Sequence, residues 1–158
     1  MNDQQKKYME MAIDLAAKNV ASGNGGPFGA VIVKNGEIIA TAVNTVTSTN
    51  DPTAHAEVNA IREACKKLNS FQLDDCEIYS SCEPCPMCLG AIYWARAKTL
   101  YFAADKEDAK DAGFDDSFIY REIELPYEER KLTSIQMDIA DRLKPFTLWK
   151  ESNNKLEY

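Results

Sequence analysis

The chain has 158 residues with 25 acidic side chains against 18 basic ones, and its formal charge of −7 excludes the broad cationic surface that non-specific nucleic-acid affinity requires. That length suits one domain spanning 1–158, and 45% apolar residues supply a core without disulfide staples. No apolar run reaches membrane-span length and the charged start MNDQQKK is unlike a secretory leader, so a cytoplasmic protein with a small, uncharged substrate and no membrane partner is expected.

In chain order, Tyr8, Ala12, Leu15, Ala16 and Val20 recur at the spacing of one buried helix face, predicting a packing helix over 4–20. Residues 22–27 then break regular structure with glycine and a terminal proline. Strands are predicted over 28–33 and 38–43, joined by Asn35-Gly36, a dipeptide suited to a two-residue hairpin turn. Residues 44–50 form a polar loop. Asp51 reads as a helix N-cap with Pro52 at the first helical position, opening a helix that carries Ala54 to Leu68 with Val58, Ile61 and Cys65 inward.

A third strand is predicted over 76–80, then a helix over 87–96 entered through Pro86 with Leu89, Ile92 and Tyr93 inward, then a fourth strand over 99–104. Residues 113–118 read as a loop containing aromatics, 134–140 alternate as a fifth strand, and 145–153 suit a short amphipathic helix carrying Phe146 and Trp149. Strand and helix alternate through the middle of the chain. The expected fold is therefore α/β: a three-layer α/β/α domain with a mixed five-stranded sheet, an antiparallel edge hairpin and helices on both faces.

Chemistry concentrates between Thr53 and Cys88. His55, Cys85 and Cys88 offer one imidazole and two thiolates, three ligands for tetrahedral zinc, which leaves the fourth position to water. Glu57, two residues beyond the histidine, is of the right type to move that water's proton. H-x-E followed by P-C-x-x-C is the signature of zinc-dependent nucleobase deaminases. On an ideal helix His55 and Glu57 stand roughly 200° apart, so they converge only if the metal lies near the helix end, where the partial positive charge of the N-terminus also favours thiolate. Cys82 competes with Cys85 for ligand duty, and three sulfurs with His55 would instead make a closed structural site. A redox CxxC is the other non-hydrolytic reading. Cys65 and Cys76 are assigned to the core.

The segments PFGAVIV from Pro27, NDPTAHAE from Asn50, SCEPCPMCLGAIYWAR from Ser81 and AGFDDSFIY from Ala112 resemble the cytidine deaminase-like superfamily, and within it the bacterial guanine deaminase family over nearly the whole length. The zinc motif is shared across the superfamily and specifies the reaction, whereas the GFDDSF segment and the terminal tyrosine narrow the base. The resemblance implies hydrolysis of guanine to xanthine and ammonia in purine catabolism, with one zinc per subunit on His55, Cys85 and Cys88. It implies Glu57 as proton shuttle and Asp116 as a second proton-transfer group facing the exocyclic amine, although Asp115 is an equal carboxylate by type. Phe28 and Trp94 would flank the purine, Asn44 would bond its edge, and Tyr158 would close the pocket of the other subunit in a homodimer that exchanges residues from about 145 to 158. Another aminopurine or a guanosine-type nucleoside is the alternative substrate.

Overall fold

The computed structural model describes residues 1–157 and divides into two compact units, Met1–Asp116 and Ser117–Tyr158. The first helix, α1 (Asp3–Ala21), starts at Asn2 in a reciprocal capping box with Gln5. Its buried residues are Tyr8, Ala12, Ala16 and Asn19, whereas Val20, expected inside, is 53% exposed. Asn19 displaces it because two buried carbonyls, those of Gly26 and Asn44, accept from its Nδ2, a service valine cannot provide.

Strand β1 (Gly29–Lys34) turns through Asn35 and Gly36, both at positive φ, into antiparallel β2 (Glu37–Val43). β1 also pairs antiparallel with β3 (Cys76–Cys82), and β3 pairs parallel with β4 (Thr99–Ala104), giving the order β2-β1-β3-β4. The sheet thus has four strands and not five. Residues 134–140 form no strand: Ile135, Met137 and Ile139 alternate as a strand would, yet are 79%, 70% and 53% exposed. Alternation makes a strand only where a neighbour accepts its hydrogen bonds, and none does so among the described residues.

Alternate residues of β1 serve opposite layers. Ala30 and Ile32, with Ile78, pack against Ala56, Ala60 and Ala64 of α3 (Ala56–Leu68) and Ile92 of α4 (Pro86–Trp94), while Val31, Val33 and Tyr79 pack against Tyr8 and Ala12 of α1. Fully burying each of these branched side chains contributes about 1.5–3 kcal/mol over leaving it in water. Close approach of α1 depends on Gly29, where a Cβ would meet Ala12 O at 2.4 Å.

Two helix starts differ from expectation. α3 begins at Ala56, because Asp51 accepts from Thr53 N at 2.8 Å and Thr53 Oγ1 at 2.7 Å and so closes a local turn instead of capping a helix. The preceding polar loop carries its own short helix, α2 (Val46–Thr49), ended by Asn50 at φ 53°. In α4 the buried stripe runs through Cys88 and Ile92, four residues apart, leaving Tyr93 76% exposed and not inward.

Beyond β4, α5 (Lys106–Asp111) is capped by Asp105, which accepts from the N–H groups of Glu107 and Asp108. In the second unit α6 (Ser117–Glu124) starts inside the stretch expected to be loop. Arg130 donates to Leu125 O at 2.9 Å and Ile123 O at 3.2 Å, satisfying carbonyls at the end of that helix, with its guanidinium 4.8 Å from the Tyr127 ring centroid. α7 (Lys144–Glu151) follows the stretch that forms no strand.

Candidate active site

His55 is the N-cap of α3 and Cys85 the N-cap of α4, both with extended backbone. A cap lies outside the helical spiral, so the roughly 200° separation that would part His55 from Glu57 on an ideal helix does not arise. Pro86 at the first position of α4 and Cys88 two residues later bring the second sulfur back to the same helix start. His55 Nδ1 lies 3.6 Å from Cys85 Sγ and 3.5 Å from Cys88 Sγ. Tetrahedral zinc with its usual bond lengths to nitrogen and sulfur would place such atoms about 3.6 Å apart, so this donor set fits the ion.

The protonation pattern points the same way. A hydrogen bond from Cys88 holds the Cys85 thiol down at about 4, against the effect of its burial. That same bond, then burial and the Glu57 carboxylate, push Cys88 up, so both sulfurs do not ionise together. Hydrogen bonding to Cys85 raises His55. A divalent cation held by these three would remove the conflict, its charge standing in for the shared proton. Cys82 stays out of this cluster: its Sγ points to Asp105 O at 3.6 Å, and burial pushes its thiol up to about 11.

Glu57 is 6% exposed in the first turn of α3. Ser80 Oγ donates to Oε1 at 3.3 Å and Cys88 Sγ to Oε2 at 3.5 Å, so the carboxylate faces a ligand sulfur. Burial, outweighing a backbone hydrogen bond and the bond from Cys88 that act against it, leaves the carboxyl raised above its ordinary value, which is the direction a proton shuttle at neutral pH needs.

Asn44 is 6% exposed directly after β2. Its Oδ1 accepts from Gly26 N at 3.4 Å and Val46 N at 3.2 Å, which turns the N–H2 of the carboxamide away from both. Phe28, directly before β1, is half-buried and meets Phe114 edge-on with ring centroids 5.0 Å apart. Asn44 N donates to Phe28 O at 3.1 Å, so these two residues face each other across the open end of the hairpin. Asp116 is partly buried, and burial followed by the charge of Cys85 raises its carboxyl. Trp94 is not brought to the cluster: it ends α4, nine residues from Cys85 or about 13 Å along the axis, and is 67% exposed. Tyr158 lies outside the described residues.

Phe114, Ser80, Asn19 and Asn59 were not singled out from the sequence. Phe114 sits in the quoted GFDDSF segment, and Asn19 continues the Ala12 and Ala16 face of α1; Ser80 and Asn59 carry no sequence signal.

An imidazole and two thiols gathered at two helix starts beside a buried carboxylate, on an α/β/α frame, define a zinc-dependent hydrolytic centre. The model for the cytidine and deoxycytidylate deaminase zinc-binding region matches residues 2–104. Guanine deaminase from Bacillus subtilis (strain 168) is 59% identical over 151 residues, covering 96% of this chain and 97% of that protein. An X-ray structure of guanine deaminase from Bacillus subtilis superposes with a TM-score of 0.96 at 57% identity, covering 100% of this chain and 99% of the other. The tRNA-specific adenosine deaminase of Aquifex aeolicus (strain VF5) is 44% identical over 97 residues, 61% of this chain and 64% of the relative. The chain belongs to the zinc-binding cytidine and deoxycytidylate deaminase family.

Proposed function

We propose that this protein hydrolyses guanine at C2, releasing ammonia and leaving xanthine. The observation that carries the choice of base is coverage: similarity to a guanine deaminase extends over 96% of the chain, whereas similarity to a tRNA adenosine deaminase covers 61%. The net charge of −7 also lacks the footprint that a tRNA partner requires.

In this reading His55, Cys85 and Cys88 hold zinc, which when bound acts as a Lewis acid that makes water nucleophilic at neutral pH. Glu57 accepts the proton released at that water and hands it to the purine ring; its contacts to Ser80 and Cys88 keep it oriented between the two positions. Asp116 relays the proton of the C2 hydroxyl to the departing amine, so that the C2 carbonyl forms as the C2–N bond breaks and ammonia leaves. Asn44 donates from its carboxamide to an acceptor on the purine edge, and Phe28 supplies an aromatic surface that a flat neutral base needs.

The chain acts in the cytoplasm as a homodimer. Leu143, Phe146, Leu148, Trp149 and Leu156 are each more than two-fifths exposed, a concentration of apolar side chains that supports exchange of residues from about 145 to 158, with Tyr158 closing the pocket of the other subunit. No helix among the described residues is long and apolar enough to cross a membrane.

The test is ammonia release from guanine, guanosine, adenine, cytosine and a tRNA anticodon hairpin. Release from guanine alone is expected. Release from the hairpin but not from guanine would replace this reading with the tRNA one, and sedimentation as a monomer at working concentration would remove the homodimer.

A further inference from the structure

Two asparagines with no part in the proposed chemistry hold the backbone around Asn44 from opposite sides. Asn19, 5% exposed on α1, donates through Nδ2 to Gly26 O at 2.9 Å and to Asn44 O at 2.8 Å. Asn59, in the opening turns of α3, donates through Nδ2 to Val43 O at 3.0 Å, Thr45 Oγ1 at 3.1 Å and Ala54 O at 3.3 Å. Residues 43, 44 and 45 are therefore each held by one of the two amides.

The acceptors they share lead onward. Gly26 O also accepts from Phe28 N at 2.8 Å, so Asn19 ties Asn44 to the turn that delivers the Phe28 ring. Ala54 O also accepts from Thr45 N at 2.9 Å, so Asn59 ties the same loop to the residue immediately before His55. There is little slack: a Cβ on Gly25 would stand 2.1 Å from Asn44 O and 3.0 Å from Asn19 Nδ2. If packing alone mattered, an apolar residue would suit position 19 beside Ala12 and Ala16. A buried amide is favourable there only because its donors are used.

We propose that Asn19 and Asn59 are positioning residues for base selection, acting through Asn44. Asn19 sets the carboxamide of Asn44 against Phe28, and Asn59 sets it against the metal-ligand segment. This rests on the reading of Asn44 as the residue that bonds the purine edge. Without Asn19 the base is held less well; without Asn59 it is held at the wrong distance from the reacting centre, where misplacement by about an ångström costs on the order of a hundredfold in rate.

The test is a set of double-mutant cycles on the zinc-loaded enzyme, with steady-state kinetics on guanine and zinc content measured for each variant. Asn19→Ala is expected to raise KM about tenfold, the effect of one or two neutral hydrogen bonds, with kcat within about threefold of the parent. Asn59→Ala is expected to lower kcat about tenfold or more, with zinc still at one per chain. Both effects should disappear in an Asn44→Ala background, which loss of general stability would not produce. Asn19→Ser, which retains one donor and leaves a smaller void, should move KM in the same direction by less, and it serves if Asn19→Ala is recovered in poor yield. Full multiplication of effects with Asn44→Ala, or unchanged KM in folded Asn19 variants alongside a raised KM for Asn44→Ala, would overturn the positioning role alone. An unchanged KM in Asn44→Ala itself would overturn the purine-edge reading first.

Discussion

Replacing Glu57 by glutamine separates the proton shuttle from the fold. The carboxylate receives two protein hydrogen bonds, from Ser80 and Cys88, and is 6% exposed. Glutamine has the same shape, and its carbonyl oxygen still accepts from Ser80, so zinc content and thermal stability should change little. What it loses is the ability to accept a proton. General acid–base catalysis typically contributes ~10²–10⁴ in rate, which corresponds to about 2.7–5.5 kcal/mol in the barrier. Glu57→Gln should therefore reduce kcat for guanine by roughly that factor at one zinc per chain, measured by ammonia release beside metal analysis. A loss of less than about tenfold with zinc intact would refute the assignment of the shuttle to this residue.

Removing zinc with a chelator should abolish turnover and lower the melting temperature, and zinc should restore both; at a thousandfold excess over Kd, bound metal stabilises by about 4 kcal/mol. Gly29→Ala places a Cβ 2.4 Å from Ala12 O and 2.9 Å from Ala16 N, so α1 must move off the sheet. Overpacking of this kind costs about 1–3 kcal/mol, and a melting temperature within roughly 1 °C of the parent would show that the helix yields freely. Cys82→Ser should keep its zinc, whereas loss of zinc would favour a closed site of three sulfurs and His55. Because the fold raises the Cys82 thiol from an ordinary 9.0 to about 11, its contribution to stability is complete below pH 9 and is lost as pH rises toward 11. The serine variant should accordingly show a shallower decline in melting temperature across that window.

Much of the fold was legible because local chemistry and tertiary packing agree. The hairpin at Asn35-Gly36 and the last strand, Thr99–Ala104, stand where pattern and turn residues place them. Disagreement arose where a local signal had more than one use. Asp51-Pro52 has the chemistry of a helix start, but the aspartate spends its acceptors on Thr53 and the helix waits until Ala56. Residues 134–140 have the period of a strand, and periodicity says nothing of whether an edge is available to pair with. At position 19 a polar residue reads as solvent-facing unless its acceptors are known, and those lie 7 and 25 residues away, on Gly26 and Asn44. The cluster of His55, Cys85 and Cys88 is legible from residue type and spacing, while its convergence depends on α3 and α4 starting at His55 and Cys85. Ser80 and Asn59 act only through contacts across the fold, which no spacing announces.

Phe28 and Asn44 occupy the first positions past the ends of β1 and β2, joined by one further rung from Asn44 N to Phe28 O. That rung uses main-chain atoms only. A mutation at either position can therefore change the side chain displayed at the hairpin mouth while every strand pairing stays in place. Such an arrangement lets selection change diet without rebuilding the engine. On the base-contacting roles proposed for Phe28 and Asn44, the hairpin mouth is the place where laboratory evolution toward a new base should begin.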